Sequence, residues 1–301
     1  MAETPDAPFL ASVIQDASEP IEIQPPELEP SIIAMPAIKA VLFDVYGTLF
    51  LSSRREIGYT GVENKGISVR RALTESGIRC SMEYGENIWG EQFQSEVEEA
   101  YNKRRLRGVN HPEIDIREVW QRLIDRWRNA QWIRGFLGED TVERAACEYE
   151  CQINPIWPMP QVRETLHWLH DQGYIVGVVS NAQFFTPLLF RAFFDTPMEG
   201  LGINPHCCAW SYQVGEQKPS LNLFREAFHA LESQGIQHNE TLYVGNDARD
   251  DLAPAKEMGM KTALFAGDQR MATLEQETFQ LADAVLTQLS QIKQILQPDS
   301  Q

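Results

Sequence analysis

The sequence predicts an α/β fold, a doubly wound, Rossmann-like parallel sheet with a block of helices inserted after its first strand. Three observations predict it. Four short, nearly unbroken apolar runs, IKAVLFD (38–44), YIVGVVSN (174–181), TLYVGND (241–247) and KTALFAG (261–267), read as strands buried on both faces. Helical patterns at 161–172, 220–234 and 250–258 stand between or beside them, and strands alternating with helices make a parallel sheet. Between 54 and 155 the strand pattern stops and helical periodicity replaces it. The chain therefore divides into an acidic, Pro-rich tail over 1–37, an α/β core over 38–53 and 156–301, and a helical cap over 54–155.

The first 37 residues hold seven Pro and seven Asp or Glu and no Lys or Arg, the composition of a tail that is mobile or draped over the surface. Its apolar pieces, FLASVI and SIIAMPAI, are the parts suited to docking. In the helical block Trp89, Phe93, Val97 and Tyr101 share one register, and Ile116, Val119, Trp120, Leu123 and Trp127 share another. These stripes read as the core of the block itself.

The 301 residues are 43% hydrophobic and 23% charged, a folded-protein composition, and carry a net charge of -17. Such a surface repels nucleic acid and anionic membranes. The densest basic run, Lys103-Arg104-Arg105-Leu106-Arg107, closes an acidic helix and complements its dipole. Five cysteines cannot all pair, and their spacing is no secreted disulfide framework, so a reducing cytoplasm is the expected setting. Cys147 and Cys151 fall four apart on a helix. His206, Cys207 and Cys208 alternate between strand faces without a second Cys/His pair, so they read as buried thiols rather than a zinc site. No apolar run reaches the roughly 20 residues that cross a bilayer, and no basic-then-apolar leader opens the chain. Neither membrane insertion nor secretion is expected.

The residues that carry chemistry gather where a parallel sheet places its reactive groups, outside the carboxyl ends of strands. Four pieces stand there in chain order: DVYGT (44–48), VVSN (178–181), QKPS (217–220) and VGNDARDD (244–251). Asp44 ends a strand before a Gly turn, where a carboxylate can attack phosphorus or an activated carbon and give an ester that water opens. Thr48 and Ser180 offer hydroxyls and Asn181 an amide, all able to hold an anionic group. Asp247, Asp250 and Asp251 crowd within five residues and repel one another unless solvated or bound to a cation.

Together the four pieces resemble the haloacid dehalogenase superfamily of hydrolases, over roughly residues 38 to 270. The resemblance implies Asp44 as a nucleophile that forms a covalent intermediate, and Lys218 as the lysine that stabilises charge on it and on the transferred group. It implies Thr48, Ser180 and Asn181 as substrate-binding residues. It also implies a Mg²⁺ site built from Asp44, the main-chain carbonyl of Tyr46, Asn246 or Asp247, and Asp251, keeping waters and taking one substrate oxygen. Asn246 departs from the Gly-Asp common in the family. Asp250 reads as a helix-start residue.

Tyr46 decides the reaction. Phosphatases of this superfamily usually carry a second aspartate there, for proton transfer worth roughly 10²–10⁴-fold. Asp-x-Tyr-Gly-Thr is similar instead to the 2-haloacid dehalogenases, which need no metal, although their fourth motif is rich in Ser and Asn rather than acids. They bind substrate with a cap arginine; Arg54 and Arg55 stand nearby in unlike surroundings. A related branch uses a cap lysine as Schiff base, for which Lys65 is the candidate. The favoured expectation is Mg²⁺-dependent hydrolysis of a small phosphorylated, anionic metabolite. The alternatives are metal-free dehalogenation, and a fold retained as a binding or regulatory module.

Overall fold

The computed structural model describes residues 7–52, 65–138 and 140–297. Six strands form one parallel sheet: β1 (Ala40–Phe43), β2 (Ile175–Ser180), β3 (Ile203–Trp210), β4 (Thr241–Gly245), β5 (Lys261–Phe265) and β6 (Ala284–Leu286). Their spatial order is β6-β5-β4-β1-β2-β3. The four apolar runs are β1, β2, β4 and β5. The two further strands lie at the edges: β3 mixes Asn, Pro and His with its apolar residues and β6 has three residues, so neither shows a continuous apolar run.

β1 is central and wholly buried. Phe43 stands opposite Val178 of β2 on one side and Val244 of β4 on the other. Successive side chains serve opposite faces, so Val41 and Phe43 join one hydrophobic core while Ala40 and Leu42 join a second. From β1 the chain builds outward through β2 and β3, then returns to begin β4 on the other flank. A reversal of strand order opens a crevice at the carboxyl ends of the strands beside it, and Asp44 is the first residue past β1.

The segment expected as a tail is docked from residue 7 onward. Helix α1 (Ala7–Asp16) buries Ala7, Leu10, Ala11, Val13 and Ile14. The apolar i, i+3, i+4 spacing within FLASVI makes this face, and two helices from different parts of the chain receive it. The Pro-rich continuation lies along the sheet: Gln24 N donates to Asp268 Oδ2 at 2.8 Å, and Ser31 pairs antiparallel with Val285. That pairing covers the edge strand β6, whose open hydrogen-bonding groups would otherwise face outward.

Between β1 and β2 come α2 (Lys65–Glu75), α3 (Glu86–Leu106), α4 (Ile116–Asn129), α5 (Thr141–Ile153) and α6 (Val162–Asp171). The two aromatic stripes meet, with ring centroids 4.9 Å apart for Trp89 and Trp127 and 5.2 Å for Phe93 and Trp120. Helix α7 (Leu188–Phe194) follows β2, and α1 rests on α5 and α7 together. Helix α8 (Leu221–Glu232) packs Leu223, Phe224 and Phe228 into the second core. No helix among the described residues is long and apolar enough to cross a membrane.

Candidate active site

Asp44 is 4% exposed at the floor of a cleft of about 530 Å³. Its Oδ1 accepts from Lys218 Nζ at 2.6 Å and from Ser180 Oγ at 3.1 Å. Lys218 Nζ also donates to Asp251 Oδ1 at 2.5 Å, so one ammonium bridges two buried carboxylates. Burial pushes the Asp44 carboxyl up to about 6; Lys218 pulls against this and Asp251 adds to it. Burial also works against charge on Lys218, but Asp251 and Asp44 outweigh it and hold the ammonium above its ordinary range. Burial thus raises the aspartate, while the two carboxylates beside the lysine keep it charged.

Local structure explains how four distant segments converge. Asp44 N donates to Val244 O at 2.9 Å, continuing the β1–β4 ladder one step past the strand. Gly47 then turns the chain with φ +90, and a Cβ there would lie 2.6 Å from Asn246 Nδ2, so this turn requires Gly. Asn181 Oδ1 accepts from Lys218 N at 2.7 Å. Its carbonyl end therefore positions the lysine loop, and only its NH₂ end can serve a substrate. Ser180 and Thr48 are fully buried. Ser180 donates its hydroxyl to Asp44 at 3.1 Å, and Thr48 donates to Asn246 Oδ1 at 3.3 Å.

The acid-rich fourth piece divides its labour differently from the expectation. Asp251 Oδ1 accepts from Lys218 and from Tyr243 OH at 2.9 Å, and Oδ2 from the main-chain N–H groups of Asn246 and Asp247, each at 3.0 Å. Asp247, not Asp250, is the helix-start residue. Its Oδ1 accepts from Arg249 N and Asp250 N at 2.8 and 2.9 Å, and its Oδ2 from Thr273 Oγ1 at 2.8 Å. Burial alone would raise the Asp247 carboxyl, but these donors hold it below its usual range. Asp250 lines the cleft with a buried Oδ1 that no protein donor hydrogen-bonds, and burial pushes its carboxyl up to about 6.

These contacts test the fit of a cation. Among the described residues no three His, Cys, Asp or Glu side chains converge as a metal cage. Asp251, Asp247 and Asn246, expected from sequence as ligands, each have side-chain oxygens that accept from protein donors. Asp44, Tyr46 and Asp250 line the cleft together, and Asp250 Oδ1 accepts a hydrogen bond from no protein donor. Two carboxylates and a carbonyl suit Mg²⁺, which keeps several waters and completes its octahedron with substrate oxygens.

The Tyr46 side chain is 7% exposed and its hydroxyl pairs with Thr186 Oγ1 at 2.9 Å. Burial raises the phenol well above its ordinary value, so it stays protonated and cannot act as a base. Arg54 and Arg55 lie outside the described residues. Lys65 Nζ donates to Gln94 Oε1 at 3.2 Å on the helical block and does not line the cleft. His206 is exposed while Cys207 is buried, as alternation on a strand requires.

Several residues at or behind the cleft were not read as site residues from the sequence. Tyr243 supports Asp251 from inside β4. From the helical block come Tyr101 and Arg105 of α3 and then His111 and Glu113. Arg105 belongs to the run read as a solvated helix end. Glu113, 5% exposed, accepts from Tyr101 OH, Ile114 N and Ser211 Oγ at 2.8 to 2.9 Å, tying this loop to the core. Their convergence depends on long-range folding, with 98 residues separating Glu113 from Ser211.

A family model described as haloacid dehalogenase-like hydrolase matches residues 38–259, and the chain belongs to that family. It is 26% identical over 230 residues to the glyceraldehyde 3-phosphate phosphatase of Methanopyrus kandleri, covering 75% of this chain and 82% of that one. Its fold is similar to that of a 2-haloacid dehalogenase from Pseudomonas syringae pv. Tomato DC3000, with TM-score 0.52 and 19% identity over 86% of this chain and 98% of the other. A HAD phosphatase from Thermococcus onnurineus is similarly related, with TM-score 0.50 and 20% identity over 86% and 98%.

Proposed function

We propose that this hydrolase cleaves phosphate monoesters of small anionic metabolites, with Asp44 as nucleophile. The observation that carries the reading is the ammonium of Lys218 set 2.6 Å from Asp44 Oδ1 and 2.5 Å from Asp251 Oδ1 at the floor of the cleft. The likeness to a glyceraldehyde 3-phosphate phosphatase over three quarters of the chain supports a phosphoryl substrate. Five cysteines left as thiols support a reducing, cytoplasmic setting.

In this reading an Asp44 oxygen attacks phosphorus, the ester P–O bond breaks, and water later opens the aspartyl phosphate to restore Asp44 and release phosphate. Lys218 offsets charge on the nucleophile and on the transferred group, while Ser180 and Asn181 keep Asp44 and Lys218 in place. Mg²⁺, held by Asp44, the Tyr46 carbonyl and Asp250, would supply positive charge to the phosphoryl oxygens.

A second reading, displacement of halide from a 2-haloacid without metal, is favoured by one observation: Tyr46 leaves no second aspartate beside Asp44. One experiment separates the two. Phosphate esters and 2-chloropropionate are offered to wild type and Asp44→Asn, with Mg²⁺ and with EDTA. The phosphatase reading expects phosphate release that requires Mg²⁺ and is lost in Asp44→Asn. Chloride release that persists in EDTA, with no phosphate release, would replace it with the second.

A further inference from the structure

We propose that His111 protonates the departing alcohol, taking the proton-transfer place that Tyr46 leaves empty; the inference rests on the phosphatase reading above. Attack and departure at phosphorus are roughly in line, so a leaving oxygen lies on the far side of phosphorus from Asp44. Asp44 belongs to the core, and Glu98, Tyr101, Arg105, His111 and Glu113 of the helical block line the same cleft.

Four of these five are unsuited to the task. Glu98 Oε1 accepts from Gln94 at 2.9 Å. Tyr101 donates its hydroxyl proton to Glu113 at 2.9 Å. Arg105 is a guanidinium, which does not give up a proton in proteins. Glu113 is buried, and the three donors already described hold it as an acceptor. An imidazole can both give and take a proton, and His111 is half-buried and lines the cleft.

The backbone holds residue 111 beside the segment that carries Lys218. Gln217 N donates to His111 O at 2.9 Å, and Glu113 N donates to Gly215 O at 3.0 Å. Pro112 and Glu216 form an antiparallel bridge between them. Residue 217 precedes Lys218, so His111 follows the lysine loop although it belongs to the inserted block. These ties use main-chain atoms, and a substitution at His111 leaves them intact.

The step balances. Asp44 forms a bond to phosphorus, the P–O bond to the alcohol breaks with its electron pair on oxygen, and the His111 imidazolium passes a proton to that oxygen. The products are neutral alcohol, aspartyl phosphate and neutral imidazole. When water attacks the aspartyl phosphate, its hydroxyl goes to phosphorus and its proton returns to the imidazole.

The test compares an ester that needs a proton on its leaving group, glycerol phosphate, with one that does not, p-nitrophenyl phosphate. The ratio of kcat/KM for the first to that for the second is expected to fall about 100-fold or more in His111→Gln and His111→Ala. Added imidazole is expected to restore part of the glycerol phosphate rate in His111→Ala. An unchanged ratio, whether both rates fall together or neither falls, overturns the assignment of His111 and leaves the phosphatase reading standing. Wild type that hydrolyses neither ester overturns both.

Discussion

Replacing Lys218 by Met keeps an unbranched side chain and removes the ammonium shared by Asp44 and Asp251, which are 4% and 1% exposed. Stripping one partner from a buried ion pair costs about 3–5 kcal/mol, because the remaining charge is left without compensation. Part of that loss has a definite pH dependence. Asp44 titrates at about 6 in the folded protein against an ordinary 3.8, a raised value, so folding favours its protonated form. The resulting stability is fully present below pH 3.8 and is lost as pH rises through about 6. Without the lysine, which pulls the value down, the upper edge of this window moves higher. Between pH 6 and 7 the folded variant then keeps a proton that folded wild type has released, and one pH unit is worth about 1.4 kcal/mol. The measurement is urea unfolding followed by tryptophan fluorescence, in EDTA, at pH 5 and pH 7. The variant should be less stable by about 3–5 kcal/mol at pH 7 and by about 1.4 kcal/mol less than that at pH 5. A deficit under about 1 kcal/mol at pH 7, or one that shrinks as pH rises, would refute the bridging role assigned to Lys218.

Two further outcomes follow from the same packing. Tyr46→Phe removes the hydroxyl paired with Thr186, and should cost about 1 kcal/mol in urea unfolding while leaving turnover within a few-fold; a fall of 100-fold would return Tyr46 to proton transfer. Leu10→Ala empties a fully buried site under α1 and should lower stability by about 2–5 kcal/mol; a loss below about 0.5 kcal/mol would show that α1 does not pack as described.

Legibility followed the range of the interactions. The four central strands could be read because a strand buried on both faces is mostly apolar, and β1, β2, β4 and β5 are. Edge strands β3 and β6 lack that constraint. The FLASVI spacing marked a docking surface, but its receivers, α5 and α7, are brought together only by the fold. At the site, motif order located Asp44, Ser180, Lys218 and Asp251 because each follows or supports a strand end. It read Asp250 as the helix-start residue where Asp247 takes that place, since adjacent acids at a helix start differ only in which main-chain N–H groups each one meets.

The sequence by itself determined the chemistry at hand: a strand-end aspartate, a lysine before proline, an acidic fourth motif, and a tyrosine where a second acid would stand. Apolar runs and motif spacing are local properties, so the α/β class and the hydrolase family were already present in them. Tertiary structure decided which groups are spent and which remain. Asp251 is consumed by Lys218, Tyr243 and two main-chain N–H groups, Thr48 turns to Asn246, and the loop bearing His111 is tied beside Lys218. Each outcome depends on a partner far away in the chain, and hydrogen bonds of that kind are fixed by three-dimensional proximity.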